Sequence, residues 1–259
     1  MSPVHDVTEL VQGFPGRSTR HGGLGWSSVT LLRGADRTIL VDCGSFGMRP
    51  LLARRLSEHG VDPPTVTDIL LTHAHYDHAA NYLLFPKARV HISSVELDWA
   101  HAQDPAFSPL PELYVQDLAT NPRTRRIDTA ADGRADVLPG IEAIAASGHT
   151  PGSLVYRVQG RTAPVIFTGD AAKNRAELVS GTADMSLGHQ ASSRSIARIR
   201  DLFREHPGTV LIPGHDAAMA WPDDVDRPIR LAPVRAGLQI WPDDDLSLIH
   251  DVDLTLPKD

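Results

Sequence analysis

The chain has one cysteine, Cys43, in 259 residues. No internal disulfide can form, and a thiolate metal cluster is excluded. Cys43 itself, in "ILVDCG", reads as a small buried residue at a strand end rather than a reactive thiol. There is no long basic block, and the net charge is -7. That argues against a dedicated nucleic-acid binder, which normally shows a basic face. No apolar stretch approaches the roughly 18 residues that a membrane span needs. The amino end "MSPVHDVTELVQGF" has neither the basic flank nor the apolar run of a signal peptide. The expectation is therefore a cytoplasmic protein with no membrane and no nucleic-acid partner. There is no internal repeat, no low-complexity tract and no compositional break. The reading is one domain over 1–259, with an insert or lid at about 102–126 and an extension at about 220–259.

What is present is a series of short apolar runs divided by turn residues. "SSVTLLR" (27–33) and "RTILVDCG" (37–44) flank the turn "GAD" and predict a hairpin. "LLARRLSEHG" predicts an amphipathic helix stopped by Gly60. "VTDILL" (66–71) has the length of a buried strand. "HAANYLLF" predicts a helix ending at Pro86, and "ARVHI" a strand. Ser93 and Glu96 stand at capping-box spacing before a further helix. Residues 102–126 are proline-rich and weakly periodic, as in a functional loop, lid or partner surface. "GIEAIAAS", "SLVYRVQG" and "APVIFTGD" are strands. Ile196, Ile199, Leu202 and Phe203 form one helical stripe bounded by serines and Pro-Gly, and "TVLIPGHD" is a strand entering a loop. Two sheets packed face to face with helices outside fit this order.

The chemistry concentrates in "THAHYDH" (72–78). On extended backbone, residues two apart share a side, so His73 and His75 can reach one ion. Asp77 continues that spacing, and His78 begins the next helix. Downstream, His149 follows "IEAIAA", Asp170 follows "VIF" and His215 follows "VLI". Each time a buried strand ends in a glycine-containing turn and then a potential ligand, and strand ends are where functional groups collect. Five histidines and two aspartates suffice for two metal ions. Imidazole with carboxylate suits zinc, iron or manganese. The other eight histidines (His5, His21, His59, His91, His101, His189, His206 and His250) read as structural or exposed.

"THAHYDH", "SGHTPGS" (147–153), "FTGD" (167–170) and "PGHD" (213–216), in this order, resemble the metallo-β-lactamase superfamily over about residues 25–220. The resemblance implies an α/β fold, the four-layer αβ/βα sandwich, with two mixed sheets and helices on the outer faces. It implies that His73, His75 and His149 hold a first metal and Asp77, His78 and His215 a second. Asp170 would bridge them. The two divalent ions would be zinc, with iron or manganese as alternatives. His75 stands where the flavodiiron branch has glutamate, which disfavours that branch. The motifs are most similar to those of the acyl-homoserine lactonases. Those often carry a tyrosine three residues after the bridging aspartate, where this chain has Lys173.

The implied reaction is a dinuclear hydrolysis of a small ester, lactone or thioester, with Asp77 as proton shuttle. A glyoxalase II-like thioesterase is ranked lower, because nothing after residue 220 looks like glutathione-binding helices. A mononuclear-iron, persulfide dioxygenase-like oxidoreductase is the alternative from another class. Lys173 is a candidate grip for an oxyanion or substrate carboxylate, against an ordinary exposed lysine. Tyr76 is a candidate pocket wall. Asp42 is either an acceptor fixing a ligand imidazole or a turn cap. Phe107, Tyr114 and Met185 lie in segments that could cover the site. The partner is a small-molecule substrate, and self-association is left open.

Overall fold

The structure, a computed structural model, describes residues 4–34, 36–105, 108–242 and 244–258. In chain order the first half contains β1 (Asp6–Val11), β2 (Arg17–Ser18), β3 (Gly22–Gly23), β4 (Val29–Arg33), β5 (Thr38–Val41), α1 (Arg49–Glu58), β6 (Asp68–Leu70), α2 (Tyr76–Ala79), β7 (Arg89–Ser93), α3 (Ser94–His101), α4 (Glu112–Thr120) and β8 (Thr124–Ile127). The second half contains β9 (Arg134–Leu138), β10 (Ile141–Ala145), β11 (Leu154–Gln159), β12 (Pro164–Gly169), α5 (Arg175–Ser180), α6 (His189–Glu205), β13 (Val210–Pro213), β14 (Met219–Ala220), β15 (Ile229–Arg230), β16 (Gly237–Ile240) and β17 (His250–Asp253).

One sheet runs β1-β4-β5-β6-β7-β8 and the other β15-β14-β13-β12-β11-β10-β9. β5 to β8 are parallel, as are β12 and β13; the remaining pairs of these two sheets are antiparallel. The two sheets are therefore mixed, as expected. Alternation along each strand builds the layers. Leu32, Ile39, Val41 and Leu70 of the first sheet meet Tyr156, Val158, Phe167 and Ile212 of the second in one buried cluster. Their neighbours Leu31, Leu40 and Ile69 point the other way, onto Leu52 and Leu56 of α1 and Leu97 of α3. Val155, Ile166 and Leu211 likewise face Ile196, Ile199, Leu202 and Phe203 of α6. Strands covered on both faces read as unbroken apolar runs. The layers are helix, sheet, sheet, helix.

Several local expectations change. The helix predicted from His78 to Phe85 is two short pieces, α2 and a 3-10 turn at Tyr82–Leu84. Asn81 breaks it, turning inward to donate its amide to the carbonyls of Cys43, Gly44 and Ser45. The weakly periodic stretch 102–126 carries regular structure in its described second half. It contains α4, which buries Val115 and Leu118, and it leads into edge strand β8. The long helix begins at His189, so the expected bounding serines lie inside it, with Ser192 and Ser195 buried. β1, β9 and the β16–β17 hairpin carry no continuous apolar run and escape a search for one. In that hairpin Leu238 pairs with Val252 and Ile240 with His250. Among the described residues no helix is long and apolar enough to cross a membrane.

Candidate metal centre

The seven predicted ligands converge at one end of the two sheets, beyond the carboxyl ends of β6, β10, β12 and β13. Asp42 N donates to Leu70 O at 2.9 Å, so β5 and β6 end side by side. His73 and His75 lie in the loop after β6, and Asp77 and His78 in the first turn of α2. From the other sheet, Asp170 follows β12, His215 follows β13, and His149 sits in the turn between β10 and β11. The close approach depends on glycine. A Cβ on Gly169, at φ +46°, would stand 2.5 Å from the Thr72 side chain, and one on Gly214 would stand 2.5 Å from Asp170 Oδ1.

Asp170 sits at the middle. Its Oδ2 is 3.2 Å from His149 Nε2. Its Oδ1 is 3.2 Å from both His78 Nε2 and His215 Nε2. His149 Nε2 is 3.0 Å from His75 Nδ1, and the His73 ring lies 4.6 Å from that of His75 and 4.9 Å from that of His149. Asp77 Oδ2 is 3.3 Å from His215 Nε2 and 3.7 Å from His78 Nε2. The donor atoms thus fall into three overlapping groups: His73, His75 and His149; His73, His78 and Asp170; and Asp77, His78 and His215. No other histidine joins such a group among the described residues.

This donor set fits divalent cations. His73 Nε2, His78 Nε2 and Asp170 Oδ1 are buried with no hydrogen-bond partner. Orphaned polar atoms of that kind are costly unless a ligand takes them. Ligand bonds of about 2.0–2.1 Å in a tetrahedron put donor atoms about 3.3 Å apart, close to the separations found here.

The far side of three rings is held. His149 Nδ1 is 2.9 Å from the carbonyl of Met185. A carbonyl only accepts, so Nδ1 carries the proton and Nε2 presents its lone pair to the cluster. Asp42 Oδ2 is 2.7 Å from His78 Nδ1 and imposes the same tautomer. Thr72 Oγ1 donates to Asp42 Oδ2 at 2.9 Å and lies 3.1 Å from His73 Nδ1. Asp42 also accepts from Thr72 N at 2.8 Å. It does so from a left-handed backbone (φ +53°), which is uncommon for a residue other than glycine. Asp42 is therefore the acceptor of the two alternatives, and it serves two ligands.

Electrostatics divides the cluster. Burial holds His73, His75 and His149 below the usual imidazole range, His75 down to about 3. Burial also disfavours charge on His78 and His215, but there carboxylates outweigh it and push both up: Asp77, Asp42 and Asp170 around His78, Asp170 and Asp77 beside His215. Burial alone would raise Asp170, yet His215, His149 and His78 hold it well below the usual carboxylate range.

The remaining candidates lie around this centre. Lys173 O accepts from His215 N at 2.7 Å. Its ammonium pairs with Glu177 Oε1 at 2.8 Å and also donates to Asp184 O. Tyr76 is 41% exposed, and its hydroxyl would stand 3.3 Å from a Cβ on Gly23 of β3. Met185 is exposed at φ +51°, and what it contributes is its carbonyl. Tyr114 packs on Phe46 and Tyr82 at 5.4 and 6.1 Å. Phe107 lies outside the described residues. The sequence pattern does not single out Thr72, marks Met185 only as lying in a segment that could cover the site, and gives Glu96 a capping-box spacing. Thr72 was open to discovery as the residue between strand and motif; a backbone carbonyl leaves no such signal.

The profile of the Metallo-beta-lactamase superfamily matches residues 22–215. Metallo-beta-lactamase domain-containing protein 1 of Xenopus laevis is 29% identical over 218 residues, covering 82% of this chain and 79% of that protein. An N-acyl homoserine lactonase of a Bacillus species is 24% identical, covering 62% of this chain and 60% of that one. A ribonuclease of Thermus thermophilus is 25% identical, covering 59% of this chain and 36% of its own. Among solved structures, an N-acyl homoserine lactone hydrolase with N-hexanoyl-L-homoserine at its metal centre superposes with TM-score 0.65 at 18% identity. It covers 83% of this chain and 94% of that chain.

Proposed function

The chain belongs to the metallo-beta-lactamase superfamily, and on that premise we propose that it hydrolyses a small ester, lactone or thioester at a two-cation centre. His73, His75 and His149 would hold one ion, Asp77, His78 and His215 the other, and Asp170 both. One observation carries this reading: the two oxygens of Asp170 face different nitrogens, Oδ2 towards His149 and Oδ1 towards His78 and His215. The all-nitrogen and nitrogen–oxygen sets suit zinc, with iron or manganese as alternatives.

Bound divalent ions supply Lewis acidity and a water of lowered pKa. The chain's own residues do the rest. Asp42, Thr72 and the Met185 carbonyl fix the tautomers, so that lone pairs point inward. Asp77 keeps Oδ2 in the cluster while its side chain remains 16% exposed. It is placed to take a proton from the attacking water and hand it to the leaving oxygen or sulfur. In that reaction the water oxygen bonds the carbonyl carbon, and the bond from that carbon to the leaving atom breaks. Tyr76, half-exposed beside β3, forms a wall for the substrate.

The test is elemental analysis of the purified protein with a panel of lactones, aryl esters, thioesters, β-lactams and RNA. Two divalent ions per chain with chelator-sensitive carbonyl hydrolysis is the expected result. Cleavage of RNA alone would replace the substrate class with phosphodiesters, as in the ribonuclease relative. One iron per chain with oxygen uptake would replace hydrolysis with dioxygenation.

A further inference from the structure

Glu96 is an acidic residue with no exposed surface, in the first turn of α3. Ser93 Oγ caps that turn by accepting from Glu96 N at 3.4 Å. In a capping box the glutamate carboxylate would return to the backbone of Ser93. Here it goes elsewhere. Oε1 accepts from Ala74 N at 2.9 Å, and Oε2 accepts from Thr150 Oγ1 at 2.6 Å and Gly152 N at 3.0 Å.

These partners are specific in their placement. Ala74 separates His73 from His75, and Thr150 follows His149. The first loop leaves a strand of one sheet, and the second joins two strands of the other. Leu154 N donates to Thr72 O at 2.9 Å, which ties the bases of the two loops. Glu96 ties them at the level of the ligands. The fit is close: a Cβ on Gly152 would sit 2.1 Å from Glu96 N, so the second loop is pressed against the first turn of α3. Thr150 Oγ1 also lies 2.6 Å from Ser153 Oγ, which accepts from Thr150 N at 3.3 Å. With the Thr150 hydroxyl donating to Glu96, Ser153 donates to Thr150, and every polar group in this network has a partner. Hydrogen bonds to a buried carboxylate are among the stronger ones and carry directional information.

We propose that Glu96 is a positioning residue for the three-histidine set: one carboxylate on a third element holds the His73–His75 loop and the His149 loop at the separation at which their nitrogens can share a cation. It touches none of those nitrogens and acts through the backbone on either side of them. Groups that orient ligands in this way typically govern metal affinity by about 10–100-fold. The inference rests on the metal-centre reading above.

Glu96→Ala and Glu96→Gln test it, with Gln keeping the volume and one acceptor. Metal-stripped proteins are titrated with zinc against a chromophoric chelator, below the melting temperature. One zinc equivalent should weaken about 10–100-fold in Glu96→Ala and less in Glu96→Gln, while the equivalent held by Asp77, His78 and His215 stays within about threefold of wild type. A role confined to capping would lower the melting temperature and leave both affinities of the folded protein unchanged. That outcome, or wild-type affinities in both variants, overturns the proposal. A second readout separates it from the metal-centre reading. Ring resonances of His75 and His149 in the metal-stripped protein should move in Glu96→Gln even if wild type takes up no zinc, in which case it is the metal-centre reading that fails. Unmoved resonances would sink the positioning role whatever the metal content.

Discussion

The trio His73, His75, His149 and the trio Asp77, His78, His215 sit side by side but are prepared differently. The first is all nitrogen and buried. Loss of solvent keeps its imidazoles below their ordinary range. The second includes a partly open carboxylate, and carboxylates push His78 and His215 the other way. A buried imidazole for which loss of solvent outweighs the nearby Asp170 carboxylate is a ready ligand. A buried imidazole among acids carries a proton that a cation must displace. Two sites built from the same residue types can therefore differ in the work needed to fill them.

The strongest way to break this comparison is to remove what each trio does not share. His75→Ala should abolish turnover and lower the metal content, while Asp170→Asn, which weakens the shared ligand, should affect both equivalents. Elemental analysis and a turnover assay on the two variants check this. Normal turnover of His75→Ala with an unchanged metal count would contradict the division.

The comparison sharpens with pH. The sign follows from the directions above. The imidazoles of the first trio give up their protons below the ordinary imidazole range, so its affinity should vary less with pH near neutrality. The second trio must release protons, so its affinity should fall as pH falls. Calorimetric titration in buffers of different ionisation enthalpy counts those protons. Equal proton release for the two equivalents would mean that the carboxylates around His78 and His215 do not set their protonation.

The smallest effect is expected at Lys173. Its ammonium pairs with Glu177, whose Oε1 accepts from Asp184 N at 2.8 Å, one residue before the carbonyl that holds His149. Lys173→Ala should raise KM about two- to tenfold, roughly 0.4–1.4 kcal/mol of ground-state binding, and leave the metal content unchanged. Steady-state kinetics with metal analysis checks this, and an unchanged kinetic profile would make Lys173 a scaffold residue only.

Much of this was legible before any coordinates, for a physical reason. His149, Asp170 and His215 each follow a strand that is covered on both faces, and such strands announce themselves as apolar runs. The turn after each is the place where the chain must leave the core. The sandwich was legible in the same way, from runs such as "VIF" and "VLI". Glu96 was not, because its spacing from Ser93 has a local explanation, and the tertiary use of its carboxylate overrides that explanation. Met185 was not, because what it offers is a carbonyl that every residue possesses. Asn81, in a helical pattern, breaks the helix through three carbonyls distant in sequence. β1 shows only a weak alternation, with its last two residues buried.

The convergence of ligands from two sheets has a mechanical side. His73, His75, Asp77 and His78 belong to one half of the sandwich, and His149, Asp170 and His215 to the other. Any cation seated among them acts as a rivet across the seam. Cargo bound only by the native state adds to its stability, by about 4 kcal/mol when free ligand exceeds its dissociation constant a thousandfold. Starving the protein of metal would then both silence and slacken it, leaving the two slabs joined by their greasy interior and by the few hydrogen bonds that cross the seam, such as Leu154 N to Thr72 O and Tyr156 Oη to Leu71 O.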